Sequence, residues 1–520
     1  MQAGEAAEPG TGSGGGPAAT VGAAGGAAAG TAEGAAGGAA GGAAGGAAGG
    51  AAARFGYRAE LRRTIGFADL VFYGLIFMVP IAPMGIFGSV YSGAGGMVAL
   101  AYVVGMVALV FTAASYAQMV RAFPLAGSVY NYAGRGIGAP VGFLAGWAIL
   151  LDYVLVPSLL YLVAAVAMHS TVPGVPVWLW LVVFVAFNTL VNYQGIKMTA
   201  LITRVMLVGE LIVLAIFLVV AIVALADDKG HGWSWQPLYN AQTFTWSLVF
   251  GAVSIAVLSF LGFDGISMLA EENTGGAGQI GRAMAAALGV AGLLFIAQTW
   301  LAALLVPNPA DLLANGDPDG TAFYDAARVA GGGWLATLTA VATAIAWGVA
   351  NSMVAQVATS RLLYAMARDR QLPKLLSRIS VKHRVPTHAL TLTALLSLVI
   401  GLWMAWRDDG IALLSSLVNF GALTAFLVLH VAVFWHYVVR RHSHDWIRHL
   451  LLPAIGFAIL AYVVINANVA AQRLGFVWLG LGVIVLIVLY STGRRPELSG
   501  LSEAETEAET AIAAETEGDA

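Results

Sequence analysis

The chain has 520 residues, of which 59% are hydrophobic and only 10% charged, and its mean hydropathy is +0.81. Soluble domains carry about 25% charged residues, so this composition excludes an ordinary soluble domain and indicates a protein that crosses a bilayer many times. The net charge of −3 gives no sign of a nucleic-acid partner, and the lack of cysteine excludes disulfides, thiolate catalysis and cysteine-ligated zinc.

Both ends of the chain have biased compositions that predict disorder. Residues 1–53 are almost entirely Ala and Gly, which offer too little apolar bulk to bury, and they do not resemble a signal peptide. Residues 496–520 are acidic and repetitive. The composition therefore predicts a membrane domain over residues 54–495 with a disordered tail on each side.

Twelve apolar segments of about 20 residues or more, each long enough to cross a bilayer, lie between the tails. We number them as spans 1 to 12, and they cover residues 66–90, 97–120, 141–168, 176–194, 199–226, 243–270, 284–306, 334–364, 386–406, 411–438, 451–468 and 475–491. The sequence thus predicts an all-α integral membrane protein.

The distribution of basic residues predicts the orientation of these spans. All but four of the 25 Lys and Arg residues lie in the N-terminal flank or in the loops after even-numbered spans. The four on the opposite side are Lys229, Arg328, Arg407 and Arg473. Because cytoplasmic loops carry the excess of positive charge, both termini are predicted to be cytoplasmic.

Span 1 contains two prolines that disturb its helix. Pro80 and Pro83 each remove a backbone hydrogen bond and crowd the preceding turn. A simple kink and a true break are both compatible with this pattern. A break would place Val79, Pro80, Ile81 and Ala82 at the interruption.

Spans 3 and 6 each carry an acidic residue at membrane depth. Asp152 lies about 18 Å into span 3 at 1.5 Å per residue. Asp264 in span 6 lies between Gly262 and Gly265, which weaken the helix there. Charged residues inside a membrane are costly unless they are paired or face water, and irregular backbone is tolerated only where it lines a cavity. These features predict a transporter's binding site at the break, with an ammonium group of the substrate as the missing partner.

Several motifs in order make the chain resemble the amino acid–polyamine–organocation (APC) transporter superfamily. They are Tyr116 to Tyr132 after span 2, Gly146-Trp147 and Asp152-Tyr153 in span 3, Ser259 to Asp264 with Glu271-Glu272 in span 6, and Ser360 to Asp369 in span 8. Within this superfamily the chain is most similar to the bacterial putrescine importers. The resemblance implies a LeuT-like fold of two inverted five-helix repeats with spans 1 and 6 broken. It also implies secondary active uptake by proton symport, with Asp264 as the proton-coupling residue.

Two features depart from the family pattern. Relatives commonly have proline near Gly281, and they have polar residues in the span 1 break, where this chain has Val79 and Ala82. The prolines of this break lack backbone N–H groups that could cradle a substrate carboxylate, which favours a substrate without one, such as a polyamine.

The resulting hypothesis is import of an organic amine across the bacterial cytoplasmic membrane. The predicted substrate-binding residues are Val79, Pro80, Ile81, Ala82, Asp152, Tyr153, Ser259, Phe260, Gly262, Phe263 and Asp264. Phe260 and Phe263 are included because an aromatic face can bind a cation. Glu271 and Glu272 are predicted to form an inner gate.

Three rival hypotheses remain. The chain could be an amino acid permease of the same superfamily, an amine sensor that also binds the substrate, or an integral membrane enzyme. No phosphate-binding loop, metal-ligand motif or nucleophile motif is present in the sequence, so no enzyme activity, cofactor or metal is expected.

Overall fold

The computed structural model describes residues 65–123, 129–194, 196–270, 273–368, 373–380 and 385–492. These residues form helices joined by turns and loops, with a single isolated bridge between Ile65 and Asn273 in place of a sheet. The all-α prediction is therefore confirmed for the described part of the chain. The two predicted tails lie outside these residues.

Among the described residues, eleven helical segments are long and apolar enough to cross a membrane. They correspond to all the predicted spans except span 6, and the span numbers are kept below. Their bounds are Phe67–Gly85, Val98–Ala122, Ala139–Thr171, Val177–Gln194, Arg204–Ala226, Ala277–Leu304, Gly333–Tyr364, Thr387–Ala405, Gly410–Arg440, Ile447–Ile465 and Val469–Ser491. Span 6 contains only a shorter apolar helix, Trp246–Phe260.

Span 1 is broken rather than kinked. Its first helix, Phe67–Met78, ends at Val79, which has a left-handed backbone with φ of 53°. A 3₁₀ turn follows over Ala82–Gly85, and the α-helix resumes only at Phe87–Gly93. A β-branched residue with positive φ is strained, so the surrounding packing must hold this break in place.

Span 6 is broken at the predicted glycine. The helix Trp246–Ala256 tightens into a 3₁₀ turn, Val257–Phe260, and a second 3₁₀ segment runs over Phe263–Leu269. Gly262 between them has φ of 105°, a conformation that glycine adopts without strain. It also lies directly against span 1, since a Cβ atom there would be 2.7 Å from Cβ of Phe77. The two broken spans therefore touch at their interruptions.

Spans 3, 4 and 8 are joined by a buried polar network. The side-chain N–H groups of Asn188 in span 4 donate to the hydroxyl of Tyr161, the carbonyl of Gly348 and the hydroxyl of Ser352. Gly348 lies in a π-helical turn, Ala346–Asn351, in the middle of span 8. A π-turn displaces backbone groups from the regular helical ladder. The network fixes these three spans to one another.

A pair of tryptophans attaches span 12 to span 3. Trp147 in span 3 donates its indole N–H to the carbonyl of Trp478 in span 12, and Trp478 donates to the carbonyl of Trp147, each at 2.8 Å. The two rings stack with centroids 4.7 Å apart. Gly482 makes room for them, because a Cβ atom there would be 2.4 Å from the Trp147 ring. We call this arrangement the tryptophan clasp.

Candidate substrate site

The two intramembrane carboxylates come together beside the breaks. Asp152 in span 3 and Asp264 in span 6 are close enough to interact electrostatically. Within the described residues the ion pairs are Arg407–Asp409 and Arg448–Asp445, so neither carboxylate has a basic partner there. Two like charges in one buried neighbourhood raise the free energy of the unliganded site.

Asp152 is held by the packing of span 10 against span 3. Gly421 in span 10 lies so close that a Cβ atom would be 3.1 Å from the backbone nitrogen of Asp152. The Oδ1 atom of Asp152 is buried and has no hydrogen-bond partner among the described residues. A buried acceptor without a partner is costly, so this oxygen is a ready acceptor for a donor that enters the site.

Tyr153, the next residue along span 3, also belongs to this neighbourhood. Its side chain interacts electrostatically with both carboxylates and with Tyr73 of span 1. Its backbone carbonyl accepts a hydrogen bond of 2.6 Å from the hydroxyl of Thr359 in span 8. Span 3 therefore presents Asp152 and Tyr153 from a position fixed by spans 8 and 10.

Asp264 is positioned by the break in span 6. Backbone N–H groups of Gly262 and Asp264 approach its carboxylate, so the interrupted helix supplies donors that a regular helix would have used internally, whereas the N–H of Gly265 donates to the carbonyl of Gly262 at 3.0 Å. The break thus places one carboxylate at a cluster of partial positive charges, the usual arrangement at a helix terminus.

Tyr116 is a site residue that the sequence reasoning missed. Its ring packs edge to face against Tyr132, Phe263 and Phe426, with centroids about 6 Å apart. Its hydroxyl faces Asp264 but makes no hydrogen bond of standard geometry among the described residues. The signal was present, because Tyr116 begins the motif after span 2, but that motif was used only to identify the family.

Phe260 and Phe263 are packed between helices. Both side chains are fully buried. Phe260 contacts Tyr102 and Phe295, whereas Phe263 contacts Tyr116 and Phe426. Their ring faces are therefore covered by spans 2, 7 and 10 in this conformation, and their predicted contact with a substrate cation stays a prediction.

Ser259 also contacts a neighbouring helix rather than the two carboxylates. Its hydroxyl shares a hydrogen bond of 3.1 Å with the hydroxyl of Tyr102 in span 2. In span 10, Asn419 similarly donates to the carbonyl of Ser254, at 2.6 Å. These bonds hold the first helix of span 6 against its neighbours.

The four predicted residues of the span 1 break are buried. Val79, Ile81 and Ala82 are at most 3% exposed. The carbonyl of Pro80, freed by the break, accepts a hydrogen bond of 2.9 Å from the side-chain amide of Gln298 in span 7. The sequence reasoning did not single out Gln298, whose Oε1 atom has no partner within the described residues.

A further carboxyl group lies behind the break. Glu210 in span 5 lines a small cavity with Phe77, Val79 and Asn351, which has room for about one water molecule. Glu210 is only 7% exposed and forms no ion pair with Arg204 in the described structure. It therefore lies beside the break of span 1 without an ion partner among the described residues.

The predicted inner gate cannot be placed, because Glu271 and Glu272 lie outside the described residues. Nearby, a guanidinium group of Arg282 lies 5.9 Å from the ring centroid of Phe67 at the start of span 1. Within the described residues no group of three or more His, Asp or Glu side chains could hold a metal ion.

The chain has many apolar helices, and the break in span 6 brings Asp264 to Asp152 of span 3. These features are typical of polytopic membrane transporters. The model of the amino acid permease family matches residues 70–491, and the chain belongs to this family within the APC superfamily. Its relatives are transporters, which is consistent with the expectation that the chain is not an enzyme.

Individual relatives agree with this assignment. The chain is 31% identical to the low-affinity putrescine importer PlaP of Escherichia coli K12 over 446 residues, which cover 84% of this chain and 96% of PlaP. It is 26% identical to the branched-chain amino acid permease BcaP of Bacillus subtilis, over 83% of this chain and 94% of that permease. It is 25% identical to the methylthioribose transporter of B. subtilis, with the same two shares. The predicted similarity to putrescine importers is confirmed.

Proposed function

We propose that the protein imports an organic amine, in particular a polyamine such as putrescine, by proton symport with alternating access. The observation that carries this proposal is the pair of carboxylates, Asp152 and Asp264, in one buried neighbourhood without a basic partner in the described structure. A buried carboxylate needs a compensating positive charge, and an ammonium group of the substrate provides it.

Two carboxylates suit a diamine because each can bind one end. In the alternative distribution, Asp152 binds an ammonium group while Asp264 carries the proton. The unpartnered Oδ1 atom of Asp152 favours a substrate contact at Asp152. The backbone N–H groups around Asp264 stabilise its negative charge after the proton leaves, which suits a residue that cycles between two protonation states.

The span 1 break supports a substrate without a carboxylate. Two of its positions are prolines without N–H groups, and the break is lined by apolar side chains. The freed carbonyl of Pro80 is already bonded to Gln298. Such a break is a poor cradle for the carboxylate of an α-amino acid.

The proposal includes a LeuT-like architecture. Spans 1, 2, 6 and 7 pack closely on one another, as do spans 3, 4, 8, 9 and 10. Alternating access would move the first group, which carries Asp264, against the second group, which carries Asp152. The excess of basic residues on one side supports a cytoplasmic position for both termini, and import is the proposed direction of transport.

A second candidate is an amino acid permease. It is favoured by the similarity to the branched-chain amino acid permease BcaP and by the apolar Val79, Ile81 and Ala82 in the break. Under this candidate the substrate's amino group would bind Asp152 or Asp264.

The test is uptake of labelled putrescine into proteoliposomes with an inward proton gradient that is imposed and then collapsed. We expect accumulation that depends on the gradient and is inhibited by diamines but not by leucine. Asp152→Asn should weaken putrescine binding at every pH. Asp264→Asn should abolish gradient-driven accumulation. The exposed acidic residue Asp228 provides a matched control, and Asp228→Asn should transport normally.

Leucine uptake without putrescine uptake would replace the polyamine proposal by the permease candidate. Gradient-driven accumulation by Asp264→Asn at the normal rate would reject the coupling assignment.

A further inference from the structure

The segment between spans 7 and 8 packs across the ends of several spans on the predicted outer side. It contains two short helices, Pro309–Asn315 and Ala322–Gly331. Phe323 packs edge to face on Phe87 in the second half of span 1, with ring centroids 5.6 Å apart, and against Phe217 of span 5, at 4.7 Å. Gly320 approaches Val166 at the end of span 3, because a Cβ atom there would be 2.8 Å from that side chain. The segment therefore covers the end of span 1 that lies beyond the break.

Asp317 connects this segment to span 1. Its carboxylate accepts hydrogen bonds from the backbone N–H groups of Thr321, at 3.0 Å, and Ala322, at 3.3 Å, so it stabilises the start of the helix Ala322–Gly331. The same carboxylate lies on Gly88 in the second half of span 1. A Cβ atom at this glycine would be 1.9 Å from Oδ2 of Asp317. One side chain thus orders the covering helix and docks it on the broken span.

The charges around Asp317 are acidic. Asp319 in the same loop and Asp325 in the following helix interact with it, and Tyr324 lies beside it. The facing helix of span 1, Phe87–Gly93, offers Tyr91 as its only titratable side chain. Spans 3, 5 and 10 contact the segment through the uncharged Val166, Phe217 and Ile411. The cations of this region lie at the far end of the helix Ala322–Gly331, where Arg328 is in its last turn and Lys229 donates to the carbonyl of Ala330 at 3.5 Å. Within the described residues no cation pairs with Asp317.

Burial raises the pKa of Asp317 to about 6, although the hydrogen bonds from Thr321 and Ala322 oppose the shift; Asp325 and Asp319 add to it. A carboxyl group with a raised pKa in the docked state binds a proton more tightly there than in water. Docking is therefore strengthened as the pH falls through about 6 and weakened above it, where the ionised carboxylate prefers solvent.

We propose that residues 309–331 form the outer gate of the transport pathway and that Asp317 is its latch, which engages span 1 at Gly88 when a proton arrives from outside. The inference rests on the orientation in the proposed function. When Asp317 is protonated, the closed gate holds the second half of span 1 in place. When Asp317 loses its proton, the second half of span 1 is free to move away from the site. The gate therefore closes in external acid, the condition that drives proton-coupled import.

The natural absence of cysteine allows a direct measurement of this gate. A single cysteine at Ala82, which is 3% exposed in the break of span 1, can report access from outside through its reaction with a membrane-impermeant maleimide. Asp317→Asn imitates the protonated latch and should slow labelling several-fold at external pH 8, relative to Asp228→Asn at the same pH, because Asp228 is exposed and lies outside residues 309–331. At pH 5 the two variants should label alike. Comparison at one pH cancels the ionisation of the thiol itself.

Gly88→Ala tests the docking surface from the other side. Its methyl group would occupy the position of the Asp317 carboxylate, so labelling should be fast at both pH values. Gly93→Ala on the same helix is the matched control, because its Cβ atom would meet its nearest neighbour at an ordinary 3.7 Å and should leave labelling unchanged.

Equal labelling of Asp317→Asn and Asp228→Asn at pH 8, in variants that elute as monodisperse protein, would overturn the latch. Slow labelling of Gly88→Ala at both pH values would do the same. Labelling needs no substrate, so it tests the latch separately from the proposed function. The latch proposal can be rejected even if putrescine uptake is observed, and it can be supported even if the substrate is not putrescine.

Discussion

A single glycine allows the two broken spans to meet. Gly262 has a left-handed backbone, and its missing side chain leaves the space that Phe77 fills. Any other residue would strain the backbone and push span 6 away from span 1. The contact between the breaks and the position of Asp264 therefore depend on the lack of a side chain at Gly262.

We expect Gly262→Ala to lower the free energy of unfolding of the purified protein by more than about 1 kcal/mol and to abolish uptake, because the backbone conformation and the lack of space both exclude a Cβ atom. Gly289→Ala is the matched control, since a Cβ atom at this helical glycine of span 7 meets nothing within 4 Å. That substitution should be neutral or stabilising by up to about 1 kcal/mol. A functional Gly262→Ala protein would show that the breaks need not touch.

The sequence predicted the carboxylates of the site better than their neighbours. Asp152 and Asp264 could be recognised because ionisable residues in apolar spans are rare and need a partner or water. Tyr116 was not singled out, although it begins the motif after span 2, because a tyrosine in a span is common and only packing brings it to Asp264. Phe260 and Phe263 were expected at the site on proximity in sequence, yet the two 3₁₀ turns on either side of Gly262 direct them into the helix interfaces.

At the scale of helices, the hydrophobic runs determined most of the fold. In the described part of the chain, eleven of the predicted spans exist as membrane-length helical segments within seven residues of their predicted bounds. Span 6 differs because glycine and 3₁₀ turns leave it with too few regular helical residues. The π-helical turn in span 8 had no signal in the sequence, because it depends on Asn188 of another span bonding to Gly348.

The tryptophan clasp predicts that span 12 is coupled to span 3 by specific hydrogen bonds. Trp478→Phe keeps a ring for stacking but loses one indole donor, so stability should fall by about 1 kcal/mol. Trp147→Phe should have a similar effect, and the double variant should depart from additivity because the residues are in contact. Thermal denaturation in nanodiscs measures each value.

Trp406→Phe supplies the control for these substitutions, because this tryptophan is 81% exposed and should tolerate the change. If the stability losses of Trp147→Phe and Trp478→Phe were strictly additive in the double variant, the two rings would contribute independently and no clasp would exist.

For the whole molecule, the transport hypothesis makes the two tails dispensable. A carrier needs only the membrane domain, whereas an amine sensor would need a segment through which to signal. We expect a protein without residues 1–53 and 497–520 to take up substrate at the full-length rate, in proteoliposomes matched for protein content. Loss of uptake by a truncated protein that remains folded would favour the sensor hypothesis.

The tryptophan clasp also has a consequence for biosynthesis. Span 12 leaves the ribosome after the other eleven predicted spans, whereas span 3 inserts early. Until span 12 arrives, the indole N–H of Trp147 has no carbonyl of Trp478 to bind, and its ring lacks the stacked partner. A donor left unpaired within the apolar bundle is unfavourable. The closed clasp therefore distinguishes a chain that has reached span 12 from one that stops before it, and it can form only after the preceding spans have been made.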